Sequence, residues 1–377
     1  IKALYTDEEW DQFRYEDGHI YWVDIFDRIN GEDRRTAHND YAFWIQARVL
    51  EWAGYPEINT LDEYFDLLVR YADANPTMPD GSEVIPYTTL CEDWRFFCIE
   101  SAPLFLDGYA DNGGSVIVNE DDPDNPYVID YNVSPTAKLY FQKLNELYNA
   151  GYMDENFDTQ TYAEYIEKLS TGRVLGLSDQ YWDFAYAVDP VFDELGLKDI
   201  GCDYVPLALV MEEGQASHYH VYDDPYFNPD VGLAVTTNCV NPDAAFKFFN
   251  DIMGQDIHNL RFWGIEGVDY LVDENGLFYR TEEMRANWAD PEYQEKHCCQ
   301  YPFLPNWNGT SKDGINAMRP EEQTSEIYAS VSEPLARCFE AYGASGYVDM
   351  LKSDKDYKQK YWPLFEMNSG PNVDPAN

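Results

Sequence analysis

The stretch from Ser134 to Asp183 limits the fold more than any other part of the chain, because its apolar period changes there from helical to extended. Ser134 offers a side-chain oxygen to the unpaired amides of a first helical turn, Pro135 suits the first helical position, and Gly151 suits a left-handed stop. Between them Leu139, Tyr140, Leu144, Leu147 and Tyr148 recur three to four apart, which predicts a helix with one apolar face. A second helix is expected from about Tyr162 to Leu169. Thr171-Gly172-Arg173 then turns the chain into Val174-Leu175-Gly176-Leu177, a short apolar run that reads as a buried strand. Tyr181 and Trp182 would emerge at its end. Helices alternating with short apolar strands indicate an α/β fold, and in open α/β sheets ligands bind past the strand ends.

The same alternation recurs elsewhere. Asp17-Gly18 reads as a turn before a strand from His19 to Phe26, and Tyr41 to Trp52 is an apolar run, strand or helix, that stops at Gly54. Thr60 and Glu63 form a capping box ahead of Leu61, Tyr64, Leu67, Leu68 and Tyr71. Val231 to Val235 reads as a strand. Asn241-Pro242 then caps a helix with Ala245, Phe248, Phe249 and Ile252 on one side. Asn275-Gly276 marks a hairpin, residues 302–310 form a loop around Trp307, and the chain from Glu321 to about Lys360 is mostly helical by pattern. At 377 residues, two domains are expected from a prior of roughly 150 residues each.

Charge removes several functions. With 70 acidic against 25 basic residues and a formal charge of −45, the chain would repel nucleic acid and anionic membrane surfaces. The seven cysteines are Cys91, Cys98, Cys202, Cys239, Cys298, Cys299 and Cys338. They show no CxxC pair and no zinc spacing, and whether Cys91 and Cys98 form a bridge stays open. The elbow of Gly-x-Ser-x-Gly hydrolases, the phosphate-cradling Gly-Lys loop and the dinucleotide Gly-x-Gly-x-x-Gly are all missing. No catalytic residue and no metal ligand is assigned. His218 and His220 would share one face of a strand but lack a third ligand, so they read as a polar loop. The 73–83 loop (Asp73, Asn75, Asp80, Gly81, Glu83) has oxygen ligands and a Gly but misses the alternate spacing of a calcium loop. It reads as solvated, with a structural calcium as the alternative, and no other cofactor is expected.

Aromatic residues make up 16% of the chain, with 31 Tyr and 10 Trp. Trp22, Trp44, Trp94 beside Arg95, Trp182 after Tyr181, Trp263 and Trp307 fall near expected strand ends or loops. Sugar rings have apolar C–H faces and polar rims, so flat side chains accompanied by Asp, Asn or Arg suit them. A glycoside hydrolase with paired carboxylates is the alternative.

These pieces, in their order, resemble the extracellular solute-binding proteins of bacterial ABC importers, in the sugar and oligosaccharide group that includes Gram-positive lipoproteins. Asp17-Gly18-His19-Ile20-Tyr21 resembles the family's "DGKIY" strand, and Leu144 to Asp154 its "LNKLYKEGLID" segment. Ser170 to Trp182 resembles the Gly-marked strand followed by an aromatic. Asn241 to Phe248 resembles "NPEAAIKFLD", and Gly264 to Tyr270 "GIEGVDY".

The resemblance implies a two-lobed periplasmic-binding-protein-like α/β fold with a hinge and an interlobe ligand cleft. The first lobe would hold residues 1–40 and 229–302, the second 41–228, with 303–377 packing mainly on the second. It further implies a monomer that captures an oligosaccharide and delivers it to an ABC transporter permease. Its location would be the surface of a Gram-positive bacterium, through a lipid anchor outside this chain. Family members carry a signal peptide, a lipid-bearing Cys and a first βαβ portion ahead of the Asp17-Gly18 strand, which only 16 residues precede here; the first lobe is therefore expected to be incomplete. On this pattern Tyr181 and Trp182 stack a sugar ring, Trp94 and Arg95 supply an opposing wall, and Asp24, Asp27 and Arg28 bind hydroxyls near the hinge. Trp44, Trp263 and Trp307 complete the candidate aromatic set.

Overall fold

The computed structural model describes residues 2–3, 7–14, 17–24, 28–29, 32–33, 38–111, 116–119, 127–221, 232–297, 304, 309–311, 313–354 and 356–357. The chain divides into two compact units and passes between them three times: 1–37 groups with 222–330, and 38–221 with 331–377. Residues 303–330 thus group with the unit that holds the N-terminus.

The larger unit is built on a four-stranded sheet. Its strands are β1 (Tyr41–Gln46), β2 (Ile85–Thr88), β3 (Val174–Gln180) and β4 (Tyr204–Leu207), in the spatial order β2-β3-β1-β4. β2 and β3 run parallel, while β1 is antiparallel to both β3 and β4, with Trp44 opposite Leu177 on one side and Pro206 on the other. All six residues of β1 are buried, the pattern of a central strand covered on both faces. The run from Tyr41 whose period was ambiguous is therefore strand first, then helix α1 (Ala47–Trp52). Aromatic and β-branched side chains hold the first half extended, and Gly54, at φ +77°, ends the second.

The helical expectations rest on caps that the structure contains. Helix α2 (Leu61–Ala74) has the Thr60/Glu63 capping box. Helix α3 (Pro135–Asn149) has Ser134 accepting from the Ala137 amide, and Gly151 follows it at φ +83°. Helix α4 (Tyr162–Ser170) carries a second capping box, Thr161/Glu164. Strand β3 is longer than expected, reaching Gln180, and Tyr181 does not leave it as a loop but starts helix α5 (Tyr181–Leu195). Helix α6 (Glu333–Tyr342) joins this unit through Arg337, whose guanidinium bonds Glu51, and through Ser332, which donates to Asp203.

Gly176 of β3 marks where α2 comes closest to the sheet. A Cβ there would run into Tyr64 Oη and Leu68 Cδ1, and Tyr64 Oη is already committed to the Trp44 carbonyl at 2.8 Å. Gly176→Ala should therefore cost about 1–3 kcal/mol through overpacking. A lowered urea midpoint at unchanged slope would show it, and an unchanged midpoint would count against this contact.

The smaller unit pairs Val23–Asp24 antiparallel with Gly232–Leu233. The expected 19–26 strand is thus described only at Val23–Asp24, Ile20 forming an isolated bridge with Arg14, while Ile25 and Phe26 lie outside the described residues. The Asn241-capped helix runs Pro242–Ile252; of its expected apolar face only Ile252 is buried. The Asn275-Gly276 hairpin joins Leu271–Val272 to Phe278–Tyr279. Trp263 is fully enclosed at the centre of the unit. Arg280 lies 4.0 Å from the Trp288 ring centroid and donates to the carbonyls of Phe262 and Trp263.

Candidate functional site

Strand β3 ends where α5 begins, and this junction gathers three of the candidate residues. The first amides of α5 have no intrahelical acceptor; those of Tyr181 and Trp182 donate instead to the carbonyls of Asp40 and Asn39. Because Tyr181 and Trp182 are consecutive on a helix, their side chains diverge by about 100°. They cannot form one platform. Tyr181 packs inward, its ring 5.2 Å from Trp44 and 5.6 Å from Tyr347, and its hydroxyl donates to Asp189. Trp182 points the other way, with Nε1 donating to Gln180 Oε1 at 2.9 Å.

Trp94 meets Trp182 from the short 3-10 turn Asp93–Phe96. Asp93 has φ +51°, in the left-handed region that Asp tolerates better than most residues, and this reverses the chain just before Trp94. The two indoles lie nearly parallel, 7° apart in plane with centroids separated by 5.9 Å. That is direct offset stacking. Phe97 closes the group at 5.9 Å from each indole. Trp94 remains 54% exposed. It is therefore not a wall opposite Trp182, as the sequence suggested, but the outer layer of one stack.

Arg95 completes the patch. Its guanidinium carbon lies 4.3 Å from the Trp94 ring centroid and 3.8 Å from that of Tyr162, and Nε donates to Asp183 Oδ1 at 2.9 Å. Tyr162 Oη donates to the Asp183 carbonyl, and the Tyr162 amide to Glu92. Asp183, Tyr162 and Phe97 were missed by sequence reading. Only an acid in the first turn of α5 could have signalled the first.

Beneath the stack, Cys98, Asp179 and Asp183 bring a sulfur and two carboxylate oxygens within 4.8 Å of one another, all buried. Asp179 is saturated by donors: Cys98 Sγ at 3.1 Å and the Gln180 amide at 2.7 Å reach Oδ1, and Tyr165 Oη reaches Oδ2 at 2.8 Å. Burial, reinforced by the neighbouring Asp183 charge, pushes Asp179 up to about 7. Asp183 is also raised, first by burial, with Arg95 opposing. These hydrogen bonds account for Asp179, whereas among the described residues Asp183 accepts through Oδ1 alone, from Arg95. Cys98 is a free thiol, as are Cys91, Cys202, Cys239 and Cys338.

The remaining candidates separate from this patch. Trp44 and Trp263 are wholly buried, their Nε1 atoms donating to the carbonyls of Asp179 and Ala317. Neither presents a face to a ligand, because a large aromatic in the middle of a unit contributes more as core than as surface. Asp24 and Arg28 fall on short strands of the smaller unit, whereas Asp27 and Trp307 lie outside the described residues. In the 73–83 loop Asp73 accepts from Tyr152 Oη and Asp80 from Ser82. His218 bonds the Gly108 carbonyl and stacks on Tyr357.

No protein-family model matches the chain, and no curated protein matches it significantly. Solved structures do match. An HMO-binding, ABC-transporter-associated solute-binding protein of Bifidobacterium longum infantis superposes at TM-score 0.52 and 14% identity, over 89% of this chain and 69% of that one. The Streptococcus pneumoniae substrate-binding protein FusA, an EF-hand mutant in complex with fructo-nystose, gives 0.53 and 14% over 96% and 68%. The fold is that of the ABC-transporter solute-binding proteins. The alginate-binding protein AlgQ2 shares this solute-binding fold at 0.50 and 14%, over 91% of this chain and 62% of that one. The chain thus spans 62 to 69% of the length of these three solute-binding structures.

Proposed function

We propose that this chain captures a carbohydrate, an oligosaccharide, for import by an ABC transporter, and that it binds its ligand without cleaving it. The observation that carries this reading is the exposed indole of Trp94, backed by Trp182 and flanked by the Arg95 guanidinium, in a protein with the solute-binding fold. The exposed part of this indole offers a sugar ring an apolar surface, and the neighbouring Arg and carboxylates serve the hydroxyls. The buried Asp179 accepts from three protein donors and Asp183 Oδ1 from Arg95, which argues against their use as a hydrolytic pair. No helix among the described residues is long and apolar enough to cross a membrane. We place the protein outside a Gram-positive cell as a monomeric lipoprotein that delivers ligand to permease subunits.

Calorimetry with xylo-, manno-, malto- and fructo-oligosaccharides, with product analysis of the same mixtures, tests the reading. Binding without turnover is expected, and turnover would sink it. Trp94→Ala should weaken the best ligand at least about tenfold, roughly 1.4 kcal/mol. Unchanged affinity would remove Trp94 from the site.

A further inference from the structure

We propose that Asp183 is the positioning residue of this platform: acting through Arg95, it fixes Trp94 against Trp182 before any ligand arrives, so that the exposed part of the Trp94 indole is the surface a ring stacks on. The inference rests on the carbohydrate reading only for what occupies that face.

With centroids 5.9 Å apart and planes 7° from parallel, the two indoles are stacked and leave no room for a sugar ring between them. What Trp94 offers a ring is therefore the part of its indole that neither Trp182 nor Arg95 covers. It stands on a four-residue turn rather than a long element, and more than half of it is exposed; unless something holds it, it would swing. The holding group is the Arg95 guanidinium, which lies over the Trp94 and Tyr162 rings and is only 20% exposed. A planar cation against two aromatic faces is attracted to both, and desolvation strengthens the attraction. Its direction is set by the charge-assisted bond from Nε to Asp183 Oδ1. Asp183 follows Trp182 directly in the first turn of α5, so one helical turn carries both the backing indole and the anchor of the covering one.

Asp183 keeps this place at a cost. Its second oxygen, Oδ2, is enclosed without a hydrogen-bond partner among the described residues, and a buried carboxylate oxygen left unpaired is destabilising. The Arg95 pair is what the acid provides in return, and the Tyr162 hydroxyl on the Asp183 carbonyl ties the same turn to α4.

Two parallel indoles in contact couple their electronic transitions, so the ligand-free protein should show an exciton couplet in far-ultraviolet circular dichroism. Trp94→Phe and Trp182→Phe assign it, each abolishing the couplet. Asp183→Ala should abolish it too and lower affinity, while Asp183→Asn, which keeps an acceptor oxygen for Arg95 Nε, should retain part of both. Arg95→Met, on the exposed turn, should likewise lose the couplet, and it decides the matter if the Asp183 variants do not fold. A couplet absent from the wild type, or one that persists in Asp183→Ala and in Arg95→Met whatever happens to the unfolding midpoint, overturns the proposal. If the couplet behaves as expected but no oligosaccharide binds the wild type, the positioning role stands and the carbohydrate reading falls.

Discussion

Trp44→Ala should destabilise the larger unit by about 3–5 kcal/mol, the range for removing a large aromatic from a packed core, and leave the affinity of the folded protein for its ligand unchanged. Trp44 occupies the central strand, fully buried, with Tyr181 and Phe184 rings at 5.2 and 5.5 Å. Its loss leaves a cavity between the sheet and α5 and strips the Asp179 carbonyl of the indole N–H that reaches it at 2.8 Å. Urea unfolding should show a midpoint lower by about 1 M or more. The contrast with Trp94→Ala is the informative part: one substitution should cost stability and spare binding, the other the reverse. A Trp44→Ala protein of normal midpoint that no longer binds would return Trp44 to the ligand site.

The second large effect concerns pH. Asp179 is wholly buried and held at about 7, well above the ordinary carboxylate range. Between about pH 4 and 7 the folded protein therefore keeps a proton that the unfolded chain has lost. Stability falls as pH rises through that window and levels off above it. The expected contribution is about 4 kcal/mol from acid to neutral pH. Asp179→Asn, neutral throughout, should match the wild type only below about pH 4, exceed it by roughly 1.6 kcal/mol at pH 5 and by about 4 kcal/mol near pH 8. Asp203, pushed up to about 6 by burial, gives a slope of the same sign, and repulsion among the acidic residues gives another. Both are common to the two proteins and cancel in the difference. Urea midpoints that run parallel from pH 5 to pH 8 would contradict the buried proton.

Much of the fold was legible because its signals are local. A cap is a matter of a few consecutive residues, so Thr60 with Glu63, Ser134 with Pro135, and Asn241 with Pro242 announced helices that the structure contains. The Asn275-Gly276 hairpin is equally local. Tyr41 to Trp52 defeated periodicity because a strand buried on both faces does not alternate. Tyr181 and Trp182 were readable as an aromatic doublet but not as a pair sent in opposite directions, since that depends on a helix starting at Tyr181. Its first amides are satisfied by Asn39 and Asp40, far away in sequence.

By itself the sequence determined the α/β class, the caps and turns that bound its helices, and an excess of aromatics suited to a sugar. Those properties come from neighbours in the chain and from composition. Only the tertiary structure decided which aromatics are core and which are surface. Burial depends on what packs against a residue, and the strands flanking Trp44 lie more than 130 residues away along the chain. The same reason hid Asp183: its meaning is the Arg95 guanidinium, brought to it across 88 residues.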